Sequence, residues 1–383
     1  MKILNICAYT WAIGGPARII YDHTTVALKL GHEVDILSPA APTDAIYPVP
    51  EGARVFVCQR SEPVSRFFPE FSVEAWRFLR KNIGNYDVVH CHGIWHFGSV
   101  APFMFKNSPP KVITIHGLLD KWALAQGYWK KQIFGWLFQK RFLRQARLVQ
   151  INNQDERDDL RQFLGYQHPN AKIIPNGMDL GELRNLPAKG IFRAKFGLPT
   201  DVSIVLFMGR LHVKKGLDLL LPAFEKYTQH HNDAILVLAG PDDGYQPEIA
   251  QFINQKNLHQ KIIIVGMLMD ETKKAALADA TVFALPSYSE GFSIAALEAM
   301  AAGVPALVSS RIGFDGTVAQ HKAAHEVALS VESVYEGLVK MLGEADYRTE
   351  IAQNAQKMVQ SLYNIDVVAA NLLREFEKVA HLR

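Results

Sequence analysis

The sequence predicts an α/β protein built from two doubly wound domains, each a parallel sheet covered by helices. The chain has 383 residues, more than one hydrophobic core usually organises, so two domains of about 150–200 residues are expected. Runs rich in Val and Ile alternate with helical stretches, which is typical of a parallel sheet. The alternation stops after Gly177 and then resumes, and we place the domain boundary in that interval.

Apolar runs of strand length give the expected order of the sheet strands. Before the boundary they read KILNICAY, HEVDILS, ARVFVC, DVVHCHG, KVITIHG, RLVQIN and AKIIPNG. After the boundary they read SIVLFMGR, AILVLAG, KIIIVGM, TVFALPS and VPALVSS. From Tyr347 to Arg383 nearly the whole chain is compatible with helix. Because ligands of doubly wound sheets bind beyond the carboxyl ends of the strands, the turns after these runs are the candidate sites.

Composition excludes several classes of function. Hydrophobic residues make up 49% of the chain and charged residues 21%, with a formal net charge of +3, so no overall affinity for nucleic acid is indicated. Cys7, Cys58 and Cys91 lie in strand-like runs, which indicates reduced thiols and a cytoplasmic location. The start MKILNICAYTWAIGG is similar to a signal peptide but lacks a convincing cleavage site. No apolar run approaches the roughly 20 residues that cross a bilayer.

The stretch SYSEGFSIAALEAMAAGVPALVS carries two glutamates among small and apolar residues. TVFALPS is the strand before it, SYSEG is a turn that contains Glu290, and FSIAALEAMAAG is a helix that contains Glu298 and is closed by Gly303. Glu290 and Glu298 are candidate ligands for a substrate. The alternative is that Glu290 only favours the helix N-terminus while Glu298 is a solvated helical residue, and the spacing does not decide between them.

The start of this helix is a candidate anion site. Gly291 permits a tight turn, and the backbone N–H groups of Phe292, Ser293 and Ile294 are expected to point out of the helix, where the macrodipole favours a diphosphate.

A basic turn follows the first strand after the boundary. In FMGRLHVKKG it contains Gly209, Arg210, Lys214, Lys215 and Gly216, before a helix that begins near Leu217. A guanidinium fork and a compact ammonium group could stabilise a departing diphosphate, although a basic turn taken alone is also compatible with solvated surface.

A glycine pair, Gly14 and Gly15, follows the first strand of the other half in YTWAIGGPARII. Backbone could approach a ligand closely there, but the pattern is not G-x-G-x-x-G, which argues against a dinucleotide cofactor.

These motifs together resemble family-4 glycosyltransferases of the GT-B architecture. The resemblance rests on GRLHVKKG, EGFSIAALEAMAAGVP, IPNGMD and the early Gly-Gly, in order along nearly the whole chain. It implies two Rossmann-like domains facing a central cleft, with a C-terminal helix that crosses back to the first domain. We therefore expect an N-terminal acceptor-binding domain of residues 1–183 plus 364–383, and a nucleotide-sugar donor-binding domain of residues 184–363.

The resemblance also implies roles for single residues. Glu298 would bind the donor ribose, Glu290 the sugar hydroxyls, and Arg210 with Lys215 the diphosphate. The expected catalytic set is His116, Arg210, Lys215 and Glu290. The expected donor-binding set is Gly14, Gly15, Arg210, Lys215, Met267, Leu268, Glu290, Gly291, Phe292, Ser293, Ile294 and Glu298, and the expected acceptor-binding set is His92 and Trp95. After Ser310 the segment RIGFDGTVAQHKAAHEVALSVESV departs from the family pattern, and no role is assigned there.

Histidines and aspartates leave a metal site open as an alternative. His90, His92, His96 and His116 include two residues on one strand face, but no closed His/Cys spacing is present, and strand-end histidines serve an acceptor site equally well. Asp242-Asp243 indicates a turn, and the acidic residues Asp155, Glu156, Asp158 and Asp159 indicate a solvated helix face. With Arg210 and Lys215 available, we expect neither a metal nor another cofactor.

Residues 121–148 form the strongest local basic segment. It carries seven basic residues and no acidic one, interleaved with aromatics: Lys121, Lys130, Lys131, Lys140, Arg141, Arg144 and Arg147 with Trp122, Tyr128, Trp129, Phe134, Trp136, Phe138 and Phe142. We expect a helix in contact with an anionic membrane surface, and a lipid-linked acceptor that enters near His92, Trp95 and His116. The alternative is an ordinary helix whose aromatics pack on the sheet.

The expected activity is that of a metal-independent hexosyltransferase, and the resemblance implies that it is a retaining one. It would move glucose from UDP-glucose to a saccharide or lipid-linked acceptor in cell-surface polysaccharide synthesis, in the cytoplasm or on the inner face of the membrane. Two alternatives are a GT-B-like nucleotide-sugar epimerase, which would need no acceptor, and a non-catalytic nucleotide-sugar sensor.

Overall fold

The computed structural model describes residues 1–7, 10–11, 15–41, 44, 46–106, 108–125 and 127–381. The chain forms two compact units, one of Met1–Asp179 with Tyr363–Arg383 and the other of Leu180–Leu362. We call them the first and second unit. The divisions fall after Asp179 and Leu362, slightly earlier than the expected positions after residues 183 and 363.

The first unit contains a parallel sheet of seven described strands in the order β3-β2-β1-β4-β5-β6-β7. The strands are β1 Lys2–Cys7, β2 Glu33–Ala40, β3 Arg54–Gln59, β4 Val88–His92, β5 Lys111–Thr114, β6 Leu148–Ile151 and β7 Ala171–Ile173. The helices up to the division are α1 Gly15–Lys29, α2 Val73–Asn82, α3 Phe97–Val100, α4 Lys121–Ala125, α5 Tyr128–Phe134, α6 Lys140–Gln145 and α7 Gln154–Leu164. The predicted strands of this half are confirmed.

The second unit contains a parallel sheet of six described strands in the order β10-β9-β8-β11-β12-β13. The strands are β8 Ser203–Met208, β9 Ala234–Ala239, β10 Ile262–Gly266, β11 Val282–Leu285, β12 Ala306–Ser309 and β13 His325–Val327. The helices are α8 Gly181–Arg184, α9 Ile191–Phe196, α10 Leu217–Thr228, α11 Gln246–Lys256, α12 Asp270–Asp279, α13 Ile294–Ala301, α14 Thr317–Gln320, α15 Val331–Gly343 and α16 Ala345–Met358. The sequence did not predict β13, which lies in the divergent segment after Ser310.

The last helix, α17 (Ile365–His381), returns to the first unit. Its apolar face buries Val368, Leu372 and Phe376 in one cluster with Ile3 of β1 and Val88 of β4. The predicted return of the C-terminal helix is therefore confirmed.

Strands buried on both faces explain why apolar runs predicted the sheets so well. All six residues of β9 and all five of β4 are buried, as expected where helices cover both faces of a parallel sheet. Cys7, Cys58 and Cys91 are buried thiols that are not joined in disulfides, as predicted. Burial raises the pKa of the Cys91 thiol to about 12, so this thiol stays protonated and unreactive at neutral pH.

Residues 121–148 do not form the single helix that was predicted. Helices α4 and α5 are separated near Gly127, whose φ of 65° is left-handed, and a π-helical turn at Gly135–Gln139 joins α5 to α6. Among the described residues, no helix is both long and apolar enough to cross a membrane.

Candidate active site

Two turns lie side by side at the carboxyl edge of the second sheet. They follow β8 and β11, which are neighbouring strands, and the Tyr288 N–H donates to the Lys214 carbonyl across them at 2.9 Å. Gly216 has φ 72°, and a Cβ there would lie 2.0 Å from the Pro286 carbonyl oxygen. Only glycine permits this approach, so Gly216 sets the distance between the basic turn and the glutamate turn.

Lys215 and Glu290 join these turns by a bidentate ion pair. Lys215 Nζ lies 2.6 and 2.8 Å from the two Glu290 carboxylate oxygens, and Ser287 Oγ donates to Glu290 Oε1 at 2.7 Å. Only 16% of the Lys215 side chain and 11% of the Glu290 side chain are exposed. Glu290 is therefore a fixed, largely buried carboxylate and more than a charge that favours a helix N-terminus.

Glu298 is also paired. From α13 it accepts a hydrogen bond from Lys273 Nζ of α12 at 2.5 Å, and most of both side chains is covered. The interpretation of Glu298 as a solvated helical residue is therefore wrong. Lys273 was not recognised in the sequence as part of this group.

Arg210 differs from Lys215 in its exposure. Its Nη1 donates to Asp243 Oδ2 at 2.5 Å, yet 54% of its side chain is exposed. An exposed ion pair contributes little to stability, so an anion of higher charge could replace Asp243 at small cost. Asp243, predicted as a turn residue, thus also holds the guanidinium at the sheet edge.

The start of α13 differs from the prediction. The helix begins at Ile294 with Ser293 as its N-cap, and the Ser293 N–H donates to the Ile312 carbonyl at 3.1 Å. This N–H is therefore not available to a diphosphate. Ser293 Oγ accepts from the Ala296 N–H at 3.4 Å, as N-cap residues do.

The divergent segment braces the Glu290 turn. The Glu290 N–H donates to the Arg311 carbonyl at 2.8 Å, and the rings of Phe292 and Phe314 pack edge to face with centres 5.0 Å apart. Gly313 has φ 83°, and a Cβ there would lie 2.6 Å from the Gly291 carbonyl oxygen. Residues after Ser310, which received no role from the sequence, therefore fix the turn that carries Glu290.

The remaining donor-binding predictions lie at the ends of other strands. Met267 and Leu268 directly follow β10, and Met267 is exposed. Gly15 opens α1, whereas Gly14 lies outside the described residues. Their predicted contacts with the donor stay predictions.

Histidines cluster at the carboxyl edge of the first sheet. His90 and His92 share one face of β4, and His116 follows β5 with a left-handed φ of 57°. His92 Nδ1 lies 3.3 Å from His116 Nε2. Burial lowers the pKa of His116 to about 4 and that of His92 well below its ordinary value, so both rings are neutral at neutral pH. Among the described residues, no group of three or more His, Cys, Asp or Glu side chains is arranged to hold a metal ion.

Glu156 supports the turn that carries His116, and its predicted place on a solvated helix face is wrong. It is buried near the start of α7, where its carboxylate accepts from the Asn152 N–H at 2.7 Å and from Asn152 Nδ2 at 3.1 Å. It also accepts from the N–H of Gly117. Burial outweighs these donors and raises the pKa of Glu156 to about 7.

Trp95 is a core residue in this structure. It is buried, its indole N–H donates to the Leu118 carbonyl at 3.1 Å, and its ring packs edge to face on Phe134 and Phe163. His92 is buried as well. The structure therefore gives neither predicted acceptor-binding side chain an open surface, and both support the turns around His116.

An exposed aromatic patch lies beyond Trp95. Phe134 and Phe138 face inward, while Trp129 is 77% exposed and Trp136 is 78% exposed, and Ile133 and Leu137 are exposed as well. We define the aromatic patch as Trp129, Ile133, Trp136 and Leu137. Part of the segment thus packs on the sheet, and part presents apolar surface among basic residues.

The loop at residues 63–68 extends this surface. Phe68 packs against Phe134 and Phe138 with ring centres 5.4 and 5.9 Å apart, and the adjacent Phe67 is 87% exposed. No sequence motif indicated this loop.

Comparison with known proteins decides the family. The family model described as "Glycosyltransferase Family 4" matches residues 13–182, and "Glycosyl transferases group 1" matches residues 189–358. The chain belongs to the family-4 glycosyltransferases. An uncharacterized glycosyltransferase of Methanocaldococcus jannaschii is 27% identical over 98% of both chains. A phosphatidyl-myo-inositol mannosyltransferase of Mycolicibacterium smegmatis is 25% identical over 99% of this chain and 94% of its own.

Solved structures of the GT-B type show the same fold as this glycosyltransferase. Sucrose-phosphate synthase from Thermosynechococcus elongatus superposes with a TM-score of 0.82 at 20% identity over 100% of both chains. Anabaena HepE in complex with UDP-glucose superposes with a TM-score of 0.74 at 19% identity, over 99% of this chain and 100% of its own. The predicted GT-B fold, with two Rossmann-like units, is confirmed.

Proposed function

We propose that this glycosyltransferase moves glucose from UDP-glucose to an acceptor hydroxyl with retention of configuration and without a metal. The observation that carries the proposal is the bidentate Lys215–Glu290 pair at the edge of the second sheet. In this pair a fixed cation, suited to a diphosphate, contacts a fixed carboxylate, suited to sugar hydroxyls. The complexes of Anabaena HepE with UDP and with UDP-glucose support the choice of donor.

Lys215 and Arg210 are proposed to stabilise the negative charge that grows on the leaving diphosphate. Lys215 is held in place by Glu290, so little reorganisation is needed when charge develops. Arg210 is exposed and its planar fork suits two phosphate oxygens. Two cations at this position fill the role that a divalent metal has in other transferases, so no metal or other cofactor is included in the proposal.

Glu290 and Glu298 are proposed to orient the donor. Glu290 has one oxygen shared by Lys215 and Ser287, and its remaining lone pairs can accept hydrogen bonds from sugar hydroxyls. Glu298 is fixed by Lys273 and is proposed to accept from the ribose hydroxyls. Charged acceptors of this kind make hydrogen bonds of about 1.5–3 kcal/mol.

The proposed reaction replaces the diphosphate on the same face of the sugar. A bond forms between the acceptor oxygen and the anomeric carbon while the bond from that carbon to the diphosphate oxygen breaks. The acceptor proton passes to the leaving phosphate oxygen, so no protein carboxylate acts as nucleophile. His116 is proposed to contact the transferred sugar.

The acceptor is proposed to be a saccharide on a lipid, used in cell-surface polysaccharide synthesis at the cytoplasmic face of a membrane. The aromatic patch supports this, because exposed Trp side chains in one segment with the exposed Lys130 and Arg141 suit a layer of anionic headgroups. The lipid named in phosphatidyl-myo-inositol mannosyltransferase, a relative over nearly the whole chain, points the same way.

A donor screen tests the proposal. Purified protein is offered glucose, mannose and galactose on UDP, GDP and ADP, with and without a crude membrane lipid extract, and release of nucleoside diphosphate is measured. We expect release from UDP-glucose that depends on the extract, and no release by a folded Lys215→Met, Glu290→Gln variant. Conversion of the donor without extract would instead indicate an epimerase. Binding of the donor without turnover, with or without extract, would indicate a sensor.

A further inference from the structure

The contact between His92 and His116 restricts how these two rings can be protonated. The nitrogens are 3.3 Å apart, the ring planes differ by 18°, and the ring centres are 5.6 Å apart. The distance between the ring centres is about equal to the distance between the two nitrogens plus the radius of each ring. The rings therefore meet edge to edge in one plane, which suits a single N–H···N hydrogen bond. One ring must donate and the other must accept.

The other nitrogen of His92 decides which ring donates. His92 Nε2 is buried and has no hydrogen-bond partner in the part of the chain that the structure describes. If His116 donated, a neutral His92 would carry its proton on Nε2 and bury an N–H without an acceptor. If His92 donates from Nδ1, its Nε2 carries no proton and buries only an unsatisfied acceptor. Orphaned buried N–H groups are rarer than unsatisfied acceptors, so His92 is the donor.

The neighbouring His90 holds the His92 ring in this orientation. Gln150 Nε2 donates to the Ile174 carbonyl at 2.9 Å, which fixes the amide, and Thr114 Oγ1 donates to Gln150 Oε1 at 2.8 Å. The only hydroxyl proton of Thr114 is then used, so His90 Nε2 must donate to Thr114 Oγ1, 2.6 Å away. The centres of the His90 and His92 rings are 3.9 Å apart, and a fixed His90 leaves His92 little room to rotate.

We propose that His92 is a positioning residue whose Nδ1–H donates to His116 Nε2 and thereby keeps the proton of His116 on Nδ1. His116 then offers a neutral N–H to an oxygen of the substrate and has no basic nitrogen free to remove a proton. Unlike His92, His116 is partly exposed, at the carboxyl edge of the first sheet. The nature of the substrate rests on the proposed function, whereas the tautomer does not.

The tautomer can be measured without substrate. In the full-length protein labelled with isotopic histidine, long-range proton–nitrogen correlation spectra at neutral pH distinguish Nδ1–H from Nε2–H rings, and the spectrum of His116→Gln assigns His116. We expect the Nδ1–H pattern for His116 in the wild type, and an Nε2–H pattern would overturn the proposal. A protein that shows the expected tautomer but transfers no sugar would overturn only the proposed function.

Two substitutions separate positioning from packing. His92→Asn places an amide N–H near the position of Nδ1, whereas His92→Leu removes the donor and keeps an apolar side chain of moderate size. We expect His92→Leu to give a mixture of His116 tautomers and to lower kcat/KM about tenfold. We expect His92→Asn to retain most of the Nδ1–H tautomer of His116 and most of kcat/KM. In a His116→Gln background, His92→Leu should cause no further loss.

Equal losses of kcat/KM for both His92 variants, whether or not His116 is present, would contradict a role through His116. If His92→Leu does not fold, the wild-type tautomer and the comparison of His92→Asn with wild type decide the question.

Discussion

Lys215 and Glu290, 75 residues apart in the chain, form a bidentate ion pair with Nζ–O distances of 2.6 and 2.8 Å. Both side chains are largely covered, whereas the second cation of the site, Arg210, is mostly exposed. The two cations therefore differ in what they contribute to folding, although both are proposed to act on the diphosphate.

Substitution of these cations should separate stability from turnover. Arg210→Ala is expected to change the free energy of unfolding by less than about 0.5 kcal/mol, because its ion pair is exposed. Lys215→Met leaves Glu290 without its cation and should cost about 2 kcal/mol, below the range for fully buried pairs. Both should lower kcat about a hundredfold, as measured by release of nucleoside diphosphate.

Two controls accompany this experiment. The exposed Lys256→Ala should change neither quantity. Lys215→Met combined with Glu290→Leu removes both charges and should recover part of the lost stability without recovering turnover. Full activity of the Lys215→Met enzyme would remove Lys215 from the mechanism.

Donor affinity should depend on the Lys273–Glu298 pair. Glu298→Ala removes a charged acceptor and is expected to weaken UDP binding by about 1.5–3 kcal/mol in isothermal titration calorimetry. Lys273→Met frees the Glu298 carboxylate to move and should weaken binding by a smaller amount. The neighbouring Lys274→Met, which loses a contact with Glu271 instead, is the matched control. Unchanged affinity of a folded Glu298→Ala protein would make the pair structural only.

Transfer should not respond to chelators. We expect the same initial rate with EDTA, with magnesium and with manganese, since Arg210 and Lys215 are proposed to supply the positive charge at the diphosphate. Strong inhibition by EDTA that a divalent ion reverses would contradict the metal-free mechanism. Dialysed protein should be used, so that a carried-over ion is not mistaken for independence.

Acid should weaken the first unit through its buried histidines. Burial lowers the pKa of His23 to about 4, below its ordinary value near 6.5, so the neutral ring is favoured on folding. The stabilisation that comes from burying the neutral His23 ring is present above pH about 6.5 and is lost as pH falls toward 4. His23 alone should reduce the free energy of unfolding by about 2 kcal/mol from pH 7 to pH 5, and His90 and His92 act in the same direction.

Differential scanning calorimetry at the two pH values checks this expectation. His23→Leu should flatten the dependence of the melting temperature on pH, whereas the exposed His259→Gln should not. A His23→Leu protein with the wild-type pH dependence would show that other groups cause the acid sensitivity.

The aromatic patch should bind anionic vesicles. Each basic residue near such a surface contributes about 1 kcal/mol, so Lys130→Gln with Arg141→Gln should weaken binding to phosphatidylserine vesicles about thirtyfold. Trp136→Ser should weaken binding to anionic and to neutral vesicles, whereas raised salt should weaken only the binding to anionic vesicles. Co-sedimentation measures all three. A wild-type protein that ignores anionic vesicles at low salt would make a soluble acceptor the better proposal.

The sheets were predictable because parallel strands covered on both faces appear in sequence as short apolar runs. β13 was not predicted because its three residues, His325, Glu326 and Val327, do not form an apolar run. The helix of residues 121–148 was predicted as continuous because aromatic and basic residues recur along it. The left-handed Gly127 and the π-helical turn at Gly135 interrupt it, and local composition does not reveal them.

The sequence indicated the candidate site residues but not the side chains with which they form ion pairs. Arg210, Lys215, Glu290 and Glu298 stand at strand ends or in the helix that follows one, which sequence alone indicates. Their partners depend on strand order and helix packing, so Lys273 gave no signal in DETKKAAL. Glu156 was misread because an acidic residue in a charged helix is usually solvated, whereas here the turn after β5 covers it.

Because α17 returns to the first unit, that unit is built from two stretches of chain that the second unit separates in the sequence. The apolar cluster around Ile3 and Val88 lacks Leu372 and Phe376 until α17 has left the ribosome, while the second unit is one uninterrupted stretch of chain. During synthesis the second unit can therefore reach its native state before the first unit, although most of the first unit is made earlier. A chain that stops between the end of the second unit and α17 would have a finished second unit and an unfinished first unit, so we expect proteolysis of that product to begin in the first unit.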